Sequence, residues 1–227
     1  RKTMSASTLW GSSSAASSGN IQKRGGAAGV HSFSDEEKYA FVEWINDCLG
    51  KDPDLKHLLP LSPDGDDLFK AMHDGILLCK LINDAVKDTI DERVINKGKN
   101  GQPPNTFKIG ENQVLAIQSS KAIGCNVINI GAHDLMEGTP HLVLGLCWQI
   151  IKIGLFAKIN LVNHPELYRL LEGDETVQDL LKLPVEDILI RWVNYHLAES
   201  GETDRRVKNF TSDIKDSVVD THLLAQI

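Results

Sequence analysis

Histidine, cysteine and lysine are the residues through which this chain could do chemistry, and their spacing limits what that chemistry can be. The eight histidines are scattered along 227 residues. His133, Glu137 and His141 form the only local cluster, and a histidine beside a helix cap is ordinarily structural. HExxH, GxSxG, GxxxxGK(S/T) and GxGxxG are all absent, so the protease, hydrolase, P-loop and dinucleotide-binding signatures are missing. The four cysteines, Cys48, Cys79, Cys125 and Cys147, are widely spaced with no CxxC. Three of them fall in apolar helical patterns, which predicts buried reduced thiols rather than a disulfide framework or a zinc site. These patterns predict a chain that is not an enzyme and holds no metal.

What remains is charge. The formal net charge is −7, which disfavours nonspecific nucleic-acid binding because no global positive field attracts phosphates. Against that background Arg93, Lys97, Lys99 and Lys108 form a run without acids, a local positive patch on an acidic domain. Lys121 adds a further cation downstream.

Helices must position these groups. Residues 1–33 are rich in Ser, Gly and Ala and carry Arg1, Lys2, Lys23 and Arg24 with no acid. Too little apolar surface is available there to offset backbone ordering, so a flexible linker is expected. Ser34 followed by Glu37 matches a capping box, and Phe41, Trp44, Ile45, Cys48 and Leu49 then recur at helical period. Lys51–Asp67 reads as a loop, 74–86 and 106–123 as helices, and 132–137 as one helical turn. Thr139–Phe156 is apolar nearly all round, which predicts a central core helix. Its run is interrupted by Gln149 and Lys152 and falls short of a membrane span. No secretory signal is visible, and a cytoplasmic protein is expected.

The chain repeats itself. Phe41-Val-Glu-Trp44-Ile-Asn46 returns as Leu189-Ile-Arg-Trp192-Val-Asn194, and Asp74–Ile82 aligns with Asp216–Leu224 in the same order. The chain therefore reads as two copies of one helical unit. The second copy lacks a counterpart of the 139–156 helix, so it is expected to be incomplete and loose. The sequence reads as a fragment. Trp44, Trp148 and Trp192 lie on apolar stripes and are expected in the core.

These residues resemble the calponin-homology domains of the fimbrin/plastin family of actin-bundling proteins. The resemblance is carried by Glu36–Asn46, Thr89–Asn96, Ala122–Gly131, Leu142–Phe156 and Asn209–Asp216, and it covers roughly residues 32–227. It implies an all-α architecture with a first calponin-homology domain over 34–157. A helical inter-domain linker over 158–183 and the N-terminal part of a second domain over 184–227 complete the implied layout. It also implies binding to actin filaments by a monomeric, non-catalytic cytoskeletal protein, with calcium-binding EF-hands lying before the first domain. The EF-hand loop pattern itself is absent from these residues. The family's contact regions carry over to Glu36–Asn46, Val127–Ile153 and Glu186–Leu197. Candidate contacts there are Glu36, Lys38, Tyr39, Glu43, His141, Gln149, Lys152, Glu186, Ile190 and Asn194, joined by charge alone by Lys97, Lys99 and Lys121. A calponin-homology adaptor that binds microtubules or a signalling partner is the alternative.

Overall fold

The computed structural model describes residues 34–98, 102–202 and 204–225. The linker expected over 1–33 and the candidate Lys99 lie outside the described residues. Among the described residues every regular element is helical and no strand occurs, as the periodicity predicts. They fall into two compact units that divide between Ala157 and Lys158.

The first unit contains α1 (Asp35–Leu49), α2 (Asp67–Ala71), α3 (Ile76–Ala85), α4 (Thr106–Ala122), α5 (Ala132–Met136) and α6 (Pro140–Ala157). Helix α1 starts where the sequence signals it. Ser34 is extended at the N-cap and its hydroxyl accepts the Glu37 N–H at 3.0 Å, while Asp35, Glu36 and Glu37 complement the positive end of the helix dipole. Helix α4 is capped likewise by Asn105, which accepts from the Lys108 N–H. Helix α2 is a departure from the sequence reading. It forms at the end of the proline-rich loop, where only five residues buried by Leu68, Phe69 and Ala71 sustain it.

The core of this unit is the packing of α3 against α6, α4 and α1. All but two residues of α3 are buried, including Leu77, Cys79 and Ile82 at 0% exposure. Gly75 sets the start of α3 with φ 74°, and a Cβ there would meet the Asn112 Cβ at 2.9 Å. Both the left-handed backbone and the close approach demand glycine. Where α6 crosses α3, a Cβ on Gly154 would lie 3.1 Å from the Ala85 Cα.

Helix α6 corrects the expectation of a helix buried all round. Val143, Leu144, Leu146, Cys147, Ile150, Ile151 and Gly154 are buried, but Leu142, Ile153, Leu155 and Phe156 are only partly covered. By length and composition α6 is also apolar enough to cross a membrane, contrary to the reading that Gln149 and Lys152 break the run. Its buried stripe packs on α3 and α1, as in the core helix of a folded domain.

The second unit contains a 3-10 helix (Pro165–Leu170), α7 (Val177–Lys182), α8 (Val185–Glu199) and α9 (Val218–Leu224). Two apolar clusters hold it. Val193, Leu197, Val207, Ile214 and Val219 join α8 to α9 and the loop between them. Leu167, Leu170, Leu180 and Ile188 join the other side of α8 to the segment before it. Residues 158–183 therefore pack on α8, and α8 is covered on two sides where the sequence reading left it open on one.

Trp44, Trp148 and Trp192 are packed against these clusters without being fully buried. Trp148 stacks on Phe41 with ring centroids 6.1 Å apart and planes 9° apart. An indole is too large to be enclosed at the edge of units this small, so it covers the core with one face.

Candidate binding surface

The repeat in the sequence has a physical counterpart. Asn46 of α1 donates from Nδ2 to the Leu61 carbonyl at 3.0 Å and accepts the Leu61 N–H at 2.8 Å. Asn194 of α8 does the same to Val207, at 2.8 and 2.7 Å. Each asparagine thus staples the loop after its helix and satisfies both polar groups of a buried residue. Asn194, read as an exposed contact, is committed to this internal role and only partly exposed.

Candidates on α1 divide by face. Glu36, Tyr39 and Glu43 are exposed, and Asp47 extends their stripe. The Tyr39 hydroxyl donates to Asp64, and that hydrogen bond raises its pKa, with help from desolvation and the neighbouring acid. Lys38 is a correction. It is 4% exposed, with its ammonium donating to the Gly65 carbonyl at 3.2 Å and 3.5 Å from Asp35. The aliphatic stem covers the core while the head finds oxygen at the edge. The outer face of α1 is therefore acidic.

On α6, His141 is exposed and sits in the first turn. Gln149 accepts the Asn126 N–H at 2.6 Å and donates to the Asn126 carbonyl at 3.3 Å, which ties the 126–130 segment to the helix. The Lys152 ammonium lies over the Phe156 ring, 5.2 Å from its centroid. On α8, Glu186 is exposed and Ile190 half-buried. Ile190, Leu183 and Val207 form the apolar part of a shallow groove of about 300 Å³, edged by Asp187, Arg206 and Lys208.

Two cations of the positive patch, Arg93 and Lys97, are paired with acids of the same unit. Arg93 forks onto Asp91, with Nε 2.9 and 3.0 Å from its two oxygens. Lys97 lies 2.7 Å from Asp54 and 3.6 Å from Glu92. The same acids, with Asp52, surround Lys80 of α3, which is only 6% exposed. Its ammonium is 2.8 Å from Asp54, 3.1 Å from Asp52 and bonded to Glu92. Burial alone would pull the Lys80 pKa down, but hydrogen bonds to Asp54, Glu92 and Asp52 more than reverse it. Hydrogen bonds from Lys80 and then Lys97 hold the Asp54 carboxyl below its usual range. Three carboxylates and two ammoniums thus make one partly buried cluster joining the 51–67 loop, α3 and the 90–97 segment. Asn112 secures the neighbouring residue, accepting the Asn96 N–H at 2.8 Å and donating to its carbonyl at 2.9 Å.

Lys121 stays exposed in the last turn of α4. Along the same exposed face stand Phe107, 76% exposed, and Val114. Sequence reasoning missed this apolar stripe, although the seven-residue spacings from Phe107 through Val114 to Lys121 are its signal. Among the described residues no group of His, Cys, Asp and Glu could hold a metal ion. Burial pushes the Cys79 and Cys147 thiols up to about 12 and Cys125 up to about 11, so none of the three is an activated nucleophile.

Comparison with known proteins places this arrangement. A family model for the calponin homology (CH) domain matches residues 35–155 and 183–227. Fimbrin from Dictyostelium discoideum is 68% identical over 202 residues, covering 88% of this chain and 32% of that protein. Human plastin-3 is 57% identical over 197 residues, covering 87% of this chain and 30% of plastin-3. The chain thus spans about a third of the length of these relatives. The crystal structure of the actin-crosslinking core of Schizosaccharomyces pombe fimbrin superposes with a TM-score of 0.70 at 42% identity. It covers 86% of this chain and 38% of that one.

Proposed function

Because the chain belongs to the calponin-homology family, in its fimbrin and plastin branch, we propose that it binds actin filaments and supplies one filament-binding element of a cross-linking protein. The observation that carries this reading is the duplicated unit. Two first helices, each bearing the same tryptophan and the same asparagine staple, stand in one chain, and the family model matches both copies. The solved relative, the actin-crosslinking core of a yeast fimbrin, shares that fold at 42% identity.

The role is one of binding without catalysis, in the cytoplasmic actin cytoskeleton, and the chain acts as a monomer. Its surface offers three kinds of contact: the acidic stripe of α1, the apolar and cationic stripe of α4 around Phe107, Val114 and Lys121, and the exposed start of α8. Such a mixture suits an interface in which an apolar patch supplies affinity and charge sets orientation. Calcium control, where it operates, belongs to EF-hands outside these residues.

Co-sedimentation with actin filaments and, in parallel, with microtubules tests the reading. Pelleting with actin alone is the expected result. Pelleting with microtubules alone would move the protein to the adaptor class, and pelleting with neither would remove the filament reading.

A further inference from the structure

The cluster around Lys80 does more than fill a buried position, because one of its two cations comes from the positive patch. Lys80 is locked in place by three carboxylates from both sides, and its neutralisation would be complete without a second ammonium on Asp54 and Glu92. Lys97 nevertheless reaches both acids. It is 37% exposed in its side chain while Lys80 is 6%, so Lys97 is the member that solvent or a partner can draw away. Asn83 completes the surroundings, donating to Glu92 at 3.4 Å.

We propose that Asp54 and Glu92 form a latch that holds Lys97 in competition with an acidic surface of the filament, so that the latch sets the strength of binding. This rests on the filament reading given above. In the latched state Lys97 is paired and the 90–97 segment is held against the 51–67 loop. Near an anionic partner Lys97 can exchange these carboxylates for others, while Lys80 keeps its ion pairs with Asp54 and Glu92. Asn112 keeps the backbone of Asn96 fixed throughout, and only the Lys97 side chain need move.

The test uses the whole chain, with three variants and two readouts. Asp54→Asn weakens the latch, Asp54→Asn with Lys97→Ala removes its cargo, and Asp174→Asn removes an exposed acid outside the expected contact regions as a control for overall charge. The first readout is acylation of lysines by an amine-reactive ester, resolved by mass spectrometry. Asp54→Asn should label Lys97 about fivefold faster than the parent chain, the scale of one partly exposed pair, while Lys80 stays slow. The second is co-sedimentation with actin filaments. Asp54→Asn should tighten binding by a similar factor, Asp174→Asn should not, and the double variant should lose the gain. An unchanged labelling rate at Lys97 overturns the latch. Faster labelling with unchanged affinity, or a gain that survives Lys97→Ala, overturns the competition. If the parent chain does not pellet, it is the filament reading that fails, and the latch stands or falls on the labelling rates.

Discussion

Lys97 and Lys38 show how little a charged residue's type says about where its charge goes. A run of cations without acids is legible in the sequence, but the acids that neutralise Lys97 arrive from Asp54, far upstream, and from Glu92 across a turn. Ion pairing at such separations leaves no periodic signal, and neither does the burial of Lys38 on the inner face of α1. The asparagine staples are half visible in the sequence: the repeat locates Asn46 and Asn194, while their partners come only from the fold. Asn46→Ala should cost about 2–3 kcal/mol in denaturant unfolding, because it strands a buried N–H and carbonyl at Leu61. A loss under about 0.5 kcal/mol, the scale of a neutral surface change, would show that water replaces the amide. The thiols give a second measurement at this scale. Alkylation at neutral pH should mark Cys48, the one cysteine that is not buried, well before Cys79 and Cys147, whose thiols are pushed up to about 12. Equal rates at all four would contradict the packing. Asp54 supplies a third. Its folded pKa is depressed, so its contribution is present above the unfolded value of about 3.9 and is lost as pH falls through the folded one. Asp54→Asn should flatten the acid limb of the stability profile below about pH 4, and an unchanged limb would separate this carboxylate from the stability of the unit.

Elements with long, strongly periodic patterns are readable in advance. Helix α1 begins at its Ser34 cap, and α3, α4 and α6 occupy the stretches that hydrophobic period assigns. Short elements are not: α2 has too few residues for a period to show, and it exists because Leu68 and Phe69 dock on a core built by other helices. Helix α6 is placed correctly by its pattern but is less buried than the pattern implies, since its apolar content exceeds what its neighbours α1, α3 and α5 can cover. Trp148→Ala should therefore destabilise the first unit by about 3 kcal/mol, the low end for a large aromatic, because one indole face is already wet. Unchanged melting with lost filament binding would reassign Trp148 to the interface. Gly154→Leu should be more damaging than Trp148→Ala. Even a Cβ there would sit 3.1 Å from the Ala85 Cα, so a longer side chain must push α3 and α6 apart.

At the scale of the whole chain, the sequence reading of two related units agrees with the calponin-homology match over 35–155 and 183–227. The role of residues 158–183 is not legible, because Leu167, Leu170–Leu171 and Leu180–Leu181 are too short a set to show a helical period and their partner, Ile188, lies beyond a proline. Hydrogen exchange should show α8 protected by this cover, though less than α6. Removing residues 158–182 should abolish that protection while leaving 34–157 unchanged, and protection that survives the deletion would make the segment a bare tether.

The staples bear on how two copies of one unit drift apart. Asn46 closes its loop across 15 residues and Asn194 across 13. The difference in closure entropy between such loops is only about 0.1 kcal/mol, negligible beside the hydrogen bonds that pin the ends. Insertions and deletions at the exposed positions of these loops, away from Asp52, Asp54 and the buried Leu55, are therefore almost invisible to selection for folding. A duplicated unit can acquire new surface there without renegotiating its interior, so the stapled loops are where the two halves are free to diversify.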